Sequence, residues 1–360
     1  MRLSRRDRNE IVGCCMKRIA LSSVLVLGLG LGVGPALAQI DRAAAMRASA
    51  SMVKIEVQRV QGGFSLGSGV MVAAGKVVTN CHVTRDAVAA HVLRDGGRWL
   101  VDGQAVDAER DLCVLRVPGL AAGTTAGVAP LGRSADLRIG ESVMALGYTG
   151  GLGMQHTEGR VVGLHRYDGG RVVQSDNAFS SGASGGGLFD AQLRLVGILT
   201  FRLRGGMAHY FSSPVEWLQP LLDAADDYRV VAPSGVAQKA YWEQPAALQP
   251  PFLRAEVLER EARWDELEGL AFNWTRVDAD NPRPWYLQGV ALHSLKRWPE
   301  SQRALERCVQ IEPGSAEAWF RLGVVHADLG QIDSARLARS RLEALQSERA
   351  AELGRLIELY

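Results

Sequence analysis

Three short stretches bring together residue types that can do chemistry. Ser184 sits in Ser181-Gly182-Ala183-Ser184-Gly185-Gly186-Gly187-Leu188. A serine between glycines suits a nucleophile on a tight turn, because Gly182 permits unusual dihedrals and a close approach of substrate. The backbone N–H groups of Gly182 and Ser184 can then point at one spot and stabilise a developing oxyanion. A serine hydroxyl is a weak nucleophile and needs a base. His82, in Val77-Val78-Thr79-Asn80-Cys81-His82-Val83, follows a β-branched run and starts a turn, so its imidazole can sit in a cleft. The base needs an acceptor for its second N–H, to fix tautomer and ring orientation. Asp111, in Arg110-Asp111-Leu112-Cys113-Val114-Leu115, heads an apolar run and can supply it. Taken singly, the three read as a loop serine, a structural histidine and a turn aspartate. Taken together they are a nucleophile, a base and an orienter for acyl transfer, which requires no cofactor. No Cys/His cluster has metal-ligand spacing, so no metal site is expected.

The elements that must position them are short strands. Val53 to Val60, Gly69 to Val72, Lys76 to Thr79, Cys113 to Val117, Ser142 to Leu146, Val172 to Gln174 and Leu195 to Phe201 are β-branched or apolar runs broken by glycine turns. Many short strands at close spacing predict an antiparallel barrel or sandwich. Residues 215–226 read as a helix closing this region, and residues 229–247, with Pro233, Gly235 and Pro245, as a linker. Of the 40 glycines only six follow Gly235, whereas six of the eight tryptophans lie between Trp242 and Trp319.

The region after the linker repeats. Trp264 and Trp298, Trp285 and Trp319, and Gly289 and Gly323 are each 34 residues apart. In that register residues 248–281, 282–315 and 316–349 form three units, with Ser301 and Ala335 at matching small positions and Cys308 at a buried packing position. The period and the Trp/Gly placement resemble the tetratricopeptide repeat. Residues 350–360 end a capping helix. The first helices of the units are expected to offer Arg254, Leu258, Gln288, Leu292, Leu322 and His326 to a peptide segment, with some of the leucines in the core.

Length and charge bound the rest. At about 100–200 residues per domain, 360 residues make two domains. Apolar content of 47% and a net charge of +2 exclude bulk disorder. Residues 1–38 read as a cleaved export signal: Lys17-Arg18, an apolar run from Ile19 to Gly34, then Ala36-Leu37-Ala38, with Met16 an alternative start. That segment carries six basic and two acidic groups, so the remainder is at −2, with no basic block for nucleic acid. No stable membrane span is expected after cleavage, and the destination is periplasmic or secreted. Export implies an oxidising compartment. Cys81 and Cys113 flank the candidate base and its orienter, leaving two readings open: a Cys81–Cys113 disulfide, or two small buried residues with separate packing roles.

The order His82, Asp111, Ser184 in an all-β region is that of the chymotrypsin arrangement. Residues 45–228, and most closely 50–220, resemble a trypsin-like serine protease of the bacterial high-temperature-requirement (Do-type) group. Gly67-Ser68-Gly69, Ala145-Leu146-Gly147-Tyr148, Thr157-Glu158-Gly159-Arg160-Val161, Val173-Gln174-Ser175-Asp176 and Tyr210 to Trp217 carry the likeness. The resemblance implies a double six-stranded antiparallel β-barrel, followed here by a helical-repeat solenoid. It makes His82 the base, Asp111 rather than Asp107 the orienter, Ser184 the nucleophile, and Gly182 and Ser184 the oxyanion donors. It places Ala178 at the base of a specificity pocket and Thr200 and Phe201 in its wall, which predicts a small or medium apolar preference. Two departures stand out. Ala183 replaces an Asp or Asn, which argues against activation by a new N-terminus, and Gly187 replaces a Pro. The nucleophile loop is therefore expected to be loose and to form its oxyanion site on binding substrate. The resulting expectation is an exported serine endopeptidase acting on protein or peptide, with repeats that recruit a protein partner. The alternatives are an inactive protease-fold scaffold whose repeats bind protein and, more weakly, an esterase.

Overall fold

The structure is a computed structural model that describes residues 42–121, 127–150, 153–203, 210–224 and 238–360. The export signal and residues 229–237 lie outside the described residues. Helix α1 (Arg42–Ser49) leads into strands β1 (Met52–Arg59), β2 (Phe64–Ala73) and β3 (Lys76–Thr79). The short helix α2 (Cys81–Thr84) follows, and then β4 (Ala87–Arg94), β5 (Gly97–Leu100), β6 (Gly103–Asp107) and β7 (Leu112–Arg116). These strands form one sheet in the order β5-β4-β1-β2-β3-β7-β6. Seven strands stand where six were expected because one chain segment is split. Val101 N–H bonds Ala90 on the β4 side and Asp102 N–H bonds Arg116 on the β7 side, so β5 and β6 are one bent run that turns from one neighbour to the other. Alternating residues of this sheet, among them Val53, Ile55, Val57, Val77, Val92 and Leu115, fill its interior.

After α3 (Pro118–Ala121) come β8 (Ser142–Tyr148), β9 (Met154–Tyr167), β10 (Gly170–Ser175), β11 (Gly187–Phe189), β12 (Leu195–Arg202) and β13 (Tyr210–Pro214). They close into a six-stranded barrel in the order β10-β13-β12-β11-β8-β9, with every strand pair antiparallel. The closing helix is shorter than expected: a 3-10 turn at Val215–Leu218, then α4 (Gln219–Asp223).

The C-terminal region is helical: α5 (Pro251–Arg260), α6 (Trp264–Val277), α7 (Pro282–Ser294), α8 (Trp298–Ile311), α9 (Ala316–Asp328), α10 (Ile332–Ala344) and α11 (Arg349–Ile357). The 34-residue period recurs in its geometry. Ala262, Lys296 and Gly330 all take left-handed conformations (φ 53°, 61° and 72°) at the turns between paired helices. Trp285 and Trp319 each donate from Nε1 to a carbonyl six residues back, Ala279 and Pro313, at 3.0 and 2.9 Å. Ser301 and Ala335 are both fully buried. Of the six residues expected on the first helices, Leu258, Leu292 and Leu322 are buried, in keeping with the core place expected for some of the leucines, and Gln288 and His326 are buried as well.

Within the stretch read as a linker, Ala240 and Tyr241 are buried and Trp242, Glu243 and Gln244 half-buried. One core runs from Met144, Phe189, Phe211 and Trp217 of the barrel through Tyr241 to Phe252, Leu253, Ala255 and Trp274 of the helices. His165 of β9 lies in it, stacked on Phe252 with ring centroids 4.7 Å apart. Its Nε2–H donates to Gln174 Oε1 at 2.8 Å, and Gln174 Nε2 donates in turn to Glu256 of α5. Burial, reinforced by the Arg283 charge, lowers the His165 pKa from 6.5 to about 4. The unfolded chain therefore binds a proton on this ring between pH 6.5 and 4 and the folded chain does not, so stability falls as pH falls through that window. The contribution is on the order of 3 kcal/mol, fully present above pH 6.5 and gone below pH 4. Urea unfolding of wild type and His165→Gln at pH 7 and pH 4.5 checks this. The wild type should lose more stability between the two pH values than the variant, and parallel losses would remove His165 as the acid-sensitive group.

Candidate active site

The antiparallel pairing of β3 with β7 builds the first half of the site. Thr79 lies opposite Cys113. Two residues forward on one strand meet two residues back on the other, so Cys81 reaches Asp111, and its N–H bonds the Asp111 carbonyl at 3.3 Å. Asn80 Nδ2 donates to the same carbonyl at 2.9 Å and to Thr200 Oγ1 at 3.2 Å. Asp111 takes a left-handed conformation (φ 57°), one that Asp adopts more readily than most residues. Its carboxylate is fully buried. Oδ1 accepts the His82 backbone N–H at 2.9 Å and Oδ2 pairs with His82 Nδ1 at 2.7 Å. With Nδ1–H given to Asp111, Nε2 is the basic nitrogen, on a side chain 24% exposed.

Cys81 and Cys113 are joined by a disulfide with Cα atoms 5.0 Å apart. Among the described residues Cys308 is the free thiol, buried in α8 with its pKa pushed up by burial to about 12. The bridge closes a loop with a sequence separation of 32, which by chain entropy stabilises the fold by about 3–4 kcal/mol. Replacing both Cys81 and Cys113 by alanine should lower the unfolding free energy by that amount in urea titrations. A loss below about 1 kcal/mol would show that the bridge restrains little of the unfolded chain.

The nucleophile loop comes from the second barrel. Gly182 and Gly185 have φ of 97° and 85°, and a Cβ at Gly185 would collide with Ser68 O and Thr79 Oγ1. Ser68 of β2 ties the loop down: its N–H bonds Ser184 O at 2.9 Å and its hydroxyl bonds Gly182 O at 2.7 Å. Thr79 Oγ1 bonds Ser68 O at 2.8 Å, which links the loop to the strand that delivers His82. Among the described residues, the Gly182 and Ser184 N–H groups, the Ser184 hydroxyl and His82 Nε2 donate to and accept from no protein group. The expectation of a loose loop rested on Ala183 and Gly187, and both have packing reasons. Ala183 is buried against Gly147, and Gly187 belongs to β11, paired with Leu146 and Ile198. Gly185 N–H bonds Leu199 O at 2.9 Å and Gly186 N–H bonds Ala183 O at 2.8 Å.

The residues expected at the specificity pocket differ in their surroundings. Ala178 is exposed. Thr200 is buried with its hydroxyl engaged by Ile198 O and Ser213 Oγ. Phe201 is buried between the rings of Phe211 and Trp242 at 4.8 and 5.0 Å. A cleft of about 520 Å³ beside the β9–β10 hairpin, lined by Arg133, Arg166, Tyr167, Arg171, Glu216 and Asp278, contains none of the triad residues. The histidine–carboxylate geometry, rather than this cleft, marks the site.

Trp242, which sequence reasoning left in the linker, reaches the site. Its Nε1–H donates to Asp111 Oδ2 at 3.2 Å and its ring meets His82 edge-on at 5.7 Å. Next to it, Glu243 pairs with Arg85, just beyond α2, at 3.0 and 2.5 Å. Burial raises the Glu243 pKa, but the Arg85 guanidinium and the Ala240 N–H outweigh it and hold the carboxyl below its ordinary range. The clustering of tryptophans after residue 240 was the one sequence signal that this stretch is packed.

Comparison with known proteins finds serine proteases among those similar to this chain. The chain is 31% identical over 214 residues to serine protease HTRA2, mitochondrial, of Bos taurus, an alignment covering 57% of this chain and 46% of the relative. It is 32% identical over 174 residues to a probable periplasmic serine endoprotease DegP-like of Halomonas elongata, covering 46% and 35%. A solved structure, HtrA-type protease AlgW with tripeptide, superposes with a TM-score of 0.46 at 30% identity, covering 51% of this chain and 62% of that one. The chain thus spans less than half the length of these two curated relatives. Its residues 67–198 match the family described as the trypsin-like peptidase domain, and that is the domain that carries His82, Asp111 and Ser184.

Proposed function

We propose that this chain is an exported serine endopeptidase that cleaves peptide bonds through an acyl-enzyme. The observation that carries the reading is the buried Asp111 carboxylate at 2.7 Å from His82 Nδ1, with a serine loop whose Gly182 and Ser184 N–H groups donate to no described protein group and can bind an oxyanion. In this reading Ser184 Oγ attacks the scissile carbonyl and His82 Nε2 takes its proton. Asp111 holds the imidazole and offsets its charge, and the two N–H groups stabilise the tetrahedral oxyanion. The protonated His82 then delivers its proton to the leaving amine, and water repeats the sequence on the acyl-enzyme. The packing of Ala183 and the strand pairing of Gly187 support this reading over that of an inactive scaffold. The disulfide beside His82 fits an oxidising compartment, periplasmic or secreted. The recurring turns and tryptophan bonds support reading the helices as tetratricopeptide-like repeats, which would recruit a protein substrate or partner. A fluorophosphonate probe tests the peptidase reading directly. It should label the wild type on Ser184, and absence of label on folded protein would overturn the reading. A trapped Ser184→Ala variant should retain its protein substrates for identification.

A further inference from the structure

Resting on the peptidase reading, we infer that Trp242 is a positioning residue for the His82–Asp111 pair, so that the segment after the barrels completes the active site. The Asp111 carboxylate is buried and receives three donors: His82 N–H, His82 Nδ1–H and the Trp242 indole N–H. Two of them come from the base itself. The third comes from outside the strands that build the barrels. Without it Oδ2 would keep a single donor, His82 Nδ1–H, for a buried charge that takes more than one hydrogen bond. The indole also covers the pair: its face lies flat on Phe201 at 5.0 Å with planes 9° apart, and its edge meets the His82 ring.

Trp242 is held as a positioned group must be. Ala240 and Tyr241 are buried, and Tyr241 N–H bonds Glu109 O at 2.9 Å, two residues before Asp111. Glu243 pairs with Arg85, one residue beyond the helix that carries His82. Gln249 Nε2 donates to the carbonyls of Trp242 and Gln244 at 3.0 Å each, and α5 starts two residues later with Phe252 buried in the shared core. The strap is thus bolted to both sides of the His–Asp pair and continuous with the helical region. Besides each other, the ionisable groups facing the pair are Arg85, Glu243 and the buried Tyr241.

Trp242→Phe keeps a ring on Phe201 and deletes the donor. A carboxylate that loses a donor holds the imidazolium more firmly. The acidic limb of the pH–kcat/KM profile should therefore move up by about half a unit or more. At neutral pH, kcat/KM for a small fluorogenic peptide and the fluorophosphonate labelling rate should both fall about ten- to a hundredfold. A purely structural role would lower the melting temperature without moving the profile. Glu243→Gln, which loosens the strap but keeps the indole, should lower kcat/KM by less, and because it also removes a negative charge acting on His82 it should not move the acidic limb up. NMR titration of the His82 ring in Trp242→Phe reads its shift without turnover, so it tests Trp242 even if the wild type proves inactive and the peptidase reading fails. A Trp242→Phe protein with the wild-type His82 titration and pH profile would overturn the inference, whatever its stability.

Discussion

Replacing Ser184 by alanine is expected to lower peptide hydrolysis by roughly four to six orders of magnitude while leaving the fold intact. The change removes one oxygen from a side chain that makes no hydrogen bond to the described protein, so little stability depends on it. The loop around it depends on the backbone: Ser68 N–H to Ser184 O, Gly185 N–H to Leu199 O and the positive φ of Gly182 and Gly185 persist in the variant. The Gly182 and Ser184 N–H groups remain as well. The residual rate should therefore stay above that of uncatalysed hydrolysis, through the oxyanion site and substrate binding alone. The measurement is kcat/KM on a fluorogenic peptide, with the melting temperature as control. A variant that hydrolyses peptides at near the wild-type rate would remove Ser184 as the nucleophile. One that loses activity and several degrees of stability together would point instead to a structural role.

The parts of the site that the sequence made legible are those carried by local pattern. His82 follows a β-branched run, Asp111 heads an apolar strand and Ser184 stands among glycines, so each reports its own surroundings within a few residues. The pairing of β3 with β7 then places His82, Asp111 and both cysteines together without further information. Trp242 was not legible for the opposite reason. Its partner Asp111 is 131 residues away, and its own neighbourhood, with Pro245 and a glycine-bearing run before it, reads as a connection. The stacking of Phe201 on Trp242 was hidden for the same cause, since the two rings lie 5.0 Å apart but 41 residues apart in the chain. Strand β4 escaped notice because its buried face is built mostly from small residues, Ala87 and Ala90 with Val92, which give a weak apolar signal. The repeat period was visible because Trp, Gly and small residues recur at fixed helix-packing positions. Which polar residues the helices bury was not. Gln288 and His326 are enclosed by neighbouring helices, with His326 bonded through Nδ1 to Gln331 Oε1 at 2.6 Å.

Asp111→Asn is expected to lower kcat/KM by about 10⁴ with little loss of structure. Asparagine is the informative replacement because it is nearly isosteric and tolerates the left-handed conformation that residue 111 adopts, at φ 57°. The carbonyl bonds from Asn80 and Cys81 are unaffected. What changes is the number of acceptors facing three donors. If the amide oxygen keeps the His82 backbone N–H, its NH₂ group faces both His82 Nδ1 and the Trp242 N–H. His82 must then accept at Nδ1 and carry its proton on Nε2, the tautomer that cannot take a proton from Ser184. If the amide flips, the NH₂ group opposes the His82 main-chain N–H and pulls the base out of line. Either arrangement leaves donor against donor in a buried site. The Trp242 N–H takes part in that conflict only in the first, so Trp242→Phe should cost far less in the Asp111→Asn background than in the wild type. Strong non-additivity of this kind is what directly interacting residues produce. The four proteins of the cycle, compared by kcat/KM and fluorophosphonate labelling rate, check both statements. A loss below tenfold for Asp111→Asn would remove Asp111 as the orienter of His82. Additive effects in the double variant would show that the Trp242 N–H and the residue 111 side chain act independently.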